Sequence, residues 1–219
     1  MQEDEKGKKF DLGAHWVGRS QSNIMSLLEE FNIKMLPQFL AGTKVMQAGG
    51  GKVRTYNSVW PIVGSWLALL DLGWTLSRLE KLASEVNILD PYGSKGGTEL
   101  DAITVHSWLK RNTRYAAVKD VLTAAFRCTF GVDPSQMSML FFLTVSKSAG
   151  GVEVLFESTE GGGQEFTVEN GTASIVESIA KDVEKDVNIL LGQAVNTVEQ
   201  NDDGSICIMT NPGRIVKCR

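Results

Sequence analysis

Apolar and polar positions along this chain predict a succession of short strands and helices. Residues 10–18 read as a strand entering a glycine-rich turn, with Ser20 placed to cap the next helix. Ile24, Leu27, Leu28 and Phe31 then fall at i, i+3, i+4 and i+7 on one helical face. Residues 34–39, 43–47 and 52–56 follow, and the last two alternate enough to predict a hairpin around Ala48-Gly49-Gly50-Gly51. Residues 61–90 are helical in character, with an uneven apolar face of Trp66, Leu69, Leu70, Trp74, Leu79 and Leu82. A loop by composition spans 91–97. Thr104 is the expected N-cap of a short helix carrying Val105, Trp108 and Leu109. A second helix covers 114–130, with Val118, Val121, Leu122, Ala125 and Phe126 inside. Asp133-Pro134-Ser135-Gln136 opens a third, with Asp as cap, Pro at N1 and Gln at N3. That helix is apolar nearly all round through Val145 and stops at Gly150-Gly151, which predicts burial.

The stretch 161–174, GGGQEFTVENGTAS, organises what comes after. Three glycines allow close backbone approach to a flat ligand or a neighbouring strand. Residues 165–168 are β-prone, Asn170-Gly171 is a turn, and Ser174 with Glu177 makes a capping box for a helix over 174–183. Ile175, Ile179 and Val183 lie on its inner side. Gln164 sits where crowded backbone becomes strand; spacing alone favours a tight loop with Gln164 facing water, against an amide aimed into a cavity. Strands are expected at 187–191, 194–199 and 205–210, with a hairpin turn at Asn201-Asp202-Asp203-Gly204 and a last strand from Ile215.

Composition narrows the function. The chain has 219 residues, 42% hydrophobic and 22% charged, enough to bury a real core. A net charge of −4 offers no basic stripe for nucleic acid. Cys128, Cys207 and Cys218 form neither a disulfide framework nor a CxxC zinc pair, which predicts a reducing, intracellular setting. Two histidines argue against a histidine-rich metal site. The start, MQEDEKGKK, lacks the apolar core of a secretory signal, and no run of about 18 apolar residues predicts a membrane segment. Gly49-Gly50-Gly51-Lys52 is a turn rather than a phosphate loop, because Val53 stands at the hydroxyl position. Asn170-Gly171-Thr172 matches a glycosylation sequon by chance.

GGGQE followed by a short strand, a glycine turn and a helix resembles a segment of the flavin-containing amine oxidases, closest to the monoamine oxidases. Phe10-Asp11-Leu12-Gly13-Ala14-His15-Trp16-Val17-Gly18-Arg19-Ser20-Gln21 resembles the D-L-G-[GA]-x-[WY]-V-x-G-x-[ST]-Q signature of the same family. The two stand in the family's order and at about the family's separation.

The resemblance implies an α/β fold: strands like those of FAD/NAD(P)-binding domains plus a helical and hairpin substrate-binding domain, incomplete. It divides the chain into a polar extension (1–9), an FAD-domain strand–turn–helix (10–33), a substrate-binding domain (34–168) and a return to the FAD domain (169–219). It implies FAD as cofactor, with Gly13, Ala14, His15, Trp16 and Val195 beside it, and a small-molecule amine as substrate, lined by Gln164, Cys128, Thr129 and Phe156. His15 reads as a neighbour rather than a catalyst, and no catalytic residue or metal ligand is assigned. On sequence grounds alone Trp16, Cys128, Thr129 and Phe156 are core residues, and Val195 is strand filling. Leu155 is the alternative to Phe156, because one extra residue precedes Gln164. The activity implied is oxidative deamination of amines, probable monoamines first. The alternatives are the polyamine or amino-acid branch, and a non-catalytic interaction module derived from the substrate domain. The resemblance begins downstream of the family's G-x-G-x-x-G turn and ends before its flavin lysine. The expectation is therefore a fragment, inactive by itself, of a parent at the mitochondrial outer membrane or in the cytoplasm.

Overall fold

The computed structural model describes residues 2–3, 5, 9–48, 50, 53–57, 61, 64–211 and 213–218, which divide into two units, 1–175 and 176–219. In the first, β1 (Gln2–Glu3) pairs antiparallel with β2 (Lys9–Phe10). The backbone then bends through 11–15 and resumes as β3 (Trp16–Val17), so the strand expected over 10–18 is two short pieces. Helix α1 (Ser22–Glu30) is not capped by Ser20: Gln21 is the N-cap residue, and its Oε1 accepts from the Gly18 amide at 3.2 Å. Leu28 is buried, with Ile24, Leu27 and Phe31 half-buried around it, the apolar stripe the spacing predicts.

Strands β4 (Met35–Pro37), β5 (Lys44–Met46) and β6 (Arg54–Tyr56) come next. The expected hairpin is β5–β6, with Lys44 opposite Tyr56. At its tip Gly49, Gly51 and Lys52 lie outside the described residues.

Helix α2 (Trp66–Glu85) starts from Ser65, whose hydroxyl accepts from the Ala68 amide. It presents a different face from the expected one. Trp66 is 69% exposed and Trp74 55%, and Leu69 and Leu70 are exposed too. The buried stripe is Ala68, Leu72, Leu76, Leu79 and Ala83, at spacings of three and four. Alanine at its two ends lets neighbouring backbone come close, so small residues, not the tryptophans, mark the inner side. The helix gives way to a turn after Glu85, short of the expected 90, and Ile62 and Val63 at its expected start lie outside the described residues.

Helices α3 (Gly97–Asp101) and α4 (Val105–Asn112) follow, the second capped by Thr104, which accepts from the Ser107 amide at 3.1 Å. Helix α5 (Ala116–Phe130) begins two residues later than expected. The buried Asp71 carboxylate accepts the amides of Arg114 and Tyr115 at 2.9 and 3.1 Å and holds them out of the helix. The Asp133–Gln136 capping box forms, but it closes only a 3-10 turn, Pro134–Gln136. Met137 then turns extended because its carbonyl accepts from Val105 and the Met139 amide donates to Ile103. Helix α6 (Met139–Ser148) needs its own cap, Ser138. Phe141 on it is exposed, which corrects the all-round burial expected. The short helix α7 (Val152–Phe156) follows the glycine pair and was not foreseen.

These helices enclose one core. Phe126 and Phe142 meet at 4.6 Å between ring centroids, and Leu79, Leu122, Met139 and Leu143 are fully buried about them. Each such side chain contributes about 1.5–3 kcal/mol by leaving water.

Strand β7 (Phe166–Val168) is the centre of a three-stranded antiparallel sheet, β3–β7–β4. Helix α8 (Ala173–Val183) starts one residue before the expected cap. Ser174 lies inside its first turn and donates to the Gly171 carbonyl at 2.7 Å.

The second unit holds an antiparallel meander, β8 (Ala194–Gln200), β9 (Ile206–Asn211) and β10 (Ile215–Cys218), with the expected turn at 201–204. Residues 187–191 form no strand: Val187, Ile189, Leu190 and Leu191 are exposed, with no partner strand to pair with among the described residues. β-propensity without a ladder does not make a strand. The architecture is a mixed α/β fold, and no helix among the described residues is long and apolar enough to cross a membrane.

Candidate functional site

The two sequence signatures are neighbouring antiparallel strands. Trp16 pairs with Thr167 and Val17 with Phe166. Gly18 then abuts the backbone of Gly162 and Gly163, so the glycine run serves a close strand approach. Beside it the Arg19 Nε–H is shared between the two Glu165 carboxylate oxygens, at 2.9 and 3.1 Å. Glu165 is buried and also accepts from the Gly161 amide at 3.1 Å. A charge-assisted pair with a backbone donor completes the satisfaction a buried carboxylate needs. The Arg19 guanidinium also lies 5.2 Å from the centre of the Phe166 ring.

A second clasp fixes the loop before β3. Asp11 accepts from the Thr172 amide at 2.9 and 3.1 Å and from its hydroxyl at 3.0 Å. That hydroxyl also reaches the Ala14 carbonyl at 3.1 Å. Gly171 sits at φ +84°, the left-handed region, with Asp11 pressed against its open side. Asn170-Gly171-Thr172 is therefore a structural latch between the two signatures.

Between the clasps, Leu12, Gly13 and Ala14 stand exposed, and nothing lies within 4 Å of the position a Gly13 Cβ would take. Next to them the His15 and Trp16 rings are stacked at 4.0 Å, and His15 Nδ1 is 2.9 Å from the Gly13 carbonyl. The result is a bare backbone ledge bordered by aromatic rings.

On the far side of the glycine run, the Gln164 amide Nε2 donates to Thr129 Oγ1 at 3.4 Å, a long and soft hydrogen bond. Gln164 is half-buried, so it does not simply face water. Cys128, one residue before Thr129, lines a pocket of about 300 Å³ together with Phe156. The Phe156 ring is held in place by Phe126 at 5.4 Å and Phe142 at 6.3 Å. Leu155, the alternative position, packs against the core instead. The other wall comes from the β5–β6 hairpin through Met46, Ala48 and Tyr56.

The structure thus joins Gly13, Ala14, His15 and Trp16 to the glycine run, and gathers Gln164, Thr129, Cys128 and Phe156 around one pocket. Val195 is in the second unit, on β8 opposite Thr210, and 59% exposed. Sequence reasoning missed Met46, Tyr56 and Asp120 as lining residues. The hairpin pattern was the available signal for the first two. Asp120 was visible only as the position two helical turns before Cys128 on α5. Among the described residues no group of acidic, histidine and cysteine side chains suits a metal ion.

The comparison with known families decides between the remaining readings: the sequence model described as flavin containing amine oxidoreductase matches residues 1–219. The chain belongs to that family. A probable flavin-containing monoamine oxidase A of Dictyostelium discoideum is 28% identical over 174 residues, covering 80% of this chain and 38% of the relative. Putrescine oxidase of Kocuria rosea is 23% identical over 213 residues, covering 94% and 43%. The solved structure of cyclohexylamine oxidase from Brevibacterium oxydans IH-35A superposes with a TM-score of 0.84 at 21% identity, covering 99% of this chain and 47% of that one. The chain spans less than half the length of these relatives. FAD is the cofactor of this flavin family, and the uncovered ledge at Gly13 and Ala14 leaves space in which a flat ring fits without a side chain moving.

Proposed function

We propose that this chain supplies the amine-binding part, and adjoining flavin contacts, of an enzyme that oxidatively deaminates amines. The overall reaction takes amine, O2 and water to aldehyde, ammonia and hydrogen peroxide. The observation that carries the reading is the pairing of Trp16–Val17 with Phe166–Thr167, which brings the ledge and Gln164 to two sides of one strand pair. On this reading 10–33 and 169–219 belong to the cofactor domain and 34–168 to the substrate domain.

Gly13, Ala14, His15 and Trp16 would hold the flavin ring, and Val195 would meet the cofactor through its backbone. The bound FAD supplies the redox chemistry, accepting a hydride equivalent from the carbon that bears the amine nitrogen. Gln164 accepts from or donates to the amine through its side-chain amide and orients it, with Thr129 fixing the amide's rotation. Cys128 and Phe156 give the substrate's carbon chain an apolar wall that excludes water. None of these residues need act as a general base.

The glycine-rich GGGQE stretch supports a monoamine. A second reading, an amine with two nitrogens, is favoured by the carboxylate of Asp120 in the pocket, and a relative named putrescine oxidase agrees with it. The shared reading is tested by titrating the full chain with benzylamine calorimetrically. Gln164→Ala is expected to weaken binding about tenfold, the loss of one hydrogen bond to a charged or polar head. Equal binding by the variant would remove Gln164 from the site.

A further inference from the structure

The pocket beside Gln164 is long, and its two ends differ in charge. Asp120, Ala124 and Cys128 all line it and stand at i, i+4 and i+8 of α5, on one stripe of the helix. Eight residues of helix rise roughly 12 Å, so the pocket runs two turns from the Cys128 end to Asp120. The Cys128 end adjoins Thr129 and the Gln164 amide. Between the ends the walls are Ala124, Met46, Ala48 and Phe156, all apolar. Among the described lining residues Asp120 is the acid, and no lysine or arginine faces it. Lys44, on the hairpin, keeps its ammonium 5.9 Å from the centre of the Tyr56 ring, on the hairpin side of the pocket.

We infer that Asp120 is a specificity-determining residue that makes this site prefer linear amines carrying a second cationic nitrogen at the far end. The inference rests on the amine-site reading above and adds the class of amine. An apolar tunnel wall accepts the methylene chain of any linear amine. Only a distal cation gains from the carboxylate, whose attraction is strengthened by the low-dielectric walls. The carboxylate need not be otherwise idle. Its two oxygens offer about four acceptor sites, more than one partner within the protein uses.

The test is calorimetric titration of the full chain at low salt with three probes of equal length: heptylamine, diaminoheptane and aminoheptanoic acid. The diamine is expected to bind roughly fivefold more tightly than heptylamine, and the amino acid more weakly than either. Asp120→Asn should bring the ratio of diamine to heptylamine to about one, and Asp120→Lys should place the amino acid first. Far-UV circular dichroism checks that each variant folds. Equal binding of heptylamine and diamine by the parent chain, or a preference that survives both variants, overturns the inference while leaving the amine site intact. Failure of every probe to bind, with Gln164→Ala silent as well, overturns the amine-site reading itself.

Discussion

Gly18 and Gly162 approach so closely that a Cβ on Gly18 would stand 2.5 Å from the Gly162 carbonyl oxygen. The signature near the chain start and the glycine run far downstream are thus fitted to each other at backbone level. The same contact is reinforced by Arg19 and Glu165, 146 positions apart in sequence. Gly18→Ala is expected to destabilise the chain by about 1–3 kcal/mol, because the opposing atoms are backbone and cannot turn away. Urea denaturation measures it, and an Ala variant as stable as the parent would show that the strands are not so tightly joined.

The helix face of α2 gives a second prediction. Leu79 is fully buried and Leu70 is 60% exposed. Leu79→Ala should cost about 2–5 kcal/mol, whereas Leu70→Ala should stay within about 0.5 kcal/mol. A reversed order in denaturation midpoints would mean that the tryptophan-bearing side is the inner one.

That face also shows what was legible in the chain and what was not. Local chemistry read well: Thr104 caps α4, the β5–β6 hairpin forms, and the Asn201–Gly204 turn closes β8 onto β9. The two signatures gave the site, because glycine spacing and a distinct residue order carry more information than hydrophobicity. Where tertiary partners decide, the reading failed. Trp66 and Trp74 look like core residues by type, but Ala68 and Ala83 allow closer packing and take the inner side. Residues 187–191 have the composition of a strand and lack a neighbour. Met137 leaves the helical path because Ile103 and Val105 bind the backbone around it, a contact no local pattern announces. The pocket was legible only through family resemblance at Cys128 and Phe156, and Asp120 was not singled out at all.

Acid sensitivity follows from the turn after α5. The Ser135 hydroxyl, then the Ser135 amide, then the Arg127 guanidinium hold the Asp133 carboxyl well below the usual carboxylate range. A carboxyl that binds its proton less readily when folded than when unfolded contributes stability above its unfolded pKa. That contribution fades as pH falls below about 4 toward the folded value. Asp133→Asn should therefore lower the thermal midpoint at pH 7 and flatten its fall on acidification. An unchanged acid limb in the variant would assign that limb to other carboxylates.

The account depends on one site having two sides, a flavin ledge at Gly13–Trp16 and an amine pocket reached by Gln164. Nitrogen-15 chemical-shift mapping reads both at once. The full chain is titrated first with lumiflavin and then with a linear amine. Shifts are expected at the backbone amides of Gly13, Ala14 and Trp16 with the first ligand and at the Gln164 side-chain amide with the second, each ligand also perturbing the Gly162–Gly163 pair between them. Perturbations confined to the exposed side of α2, or to surfaces remote from Gly18 and Gly162, would contradict it.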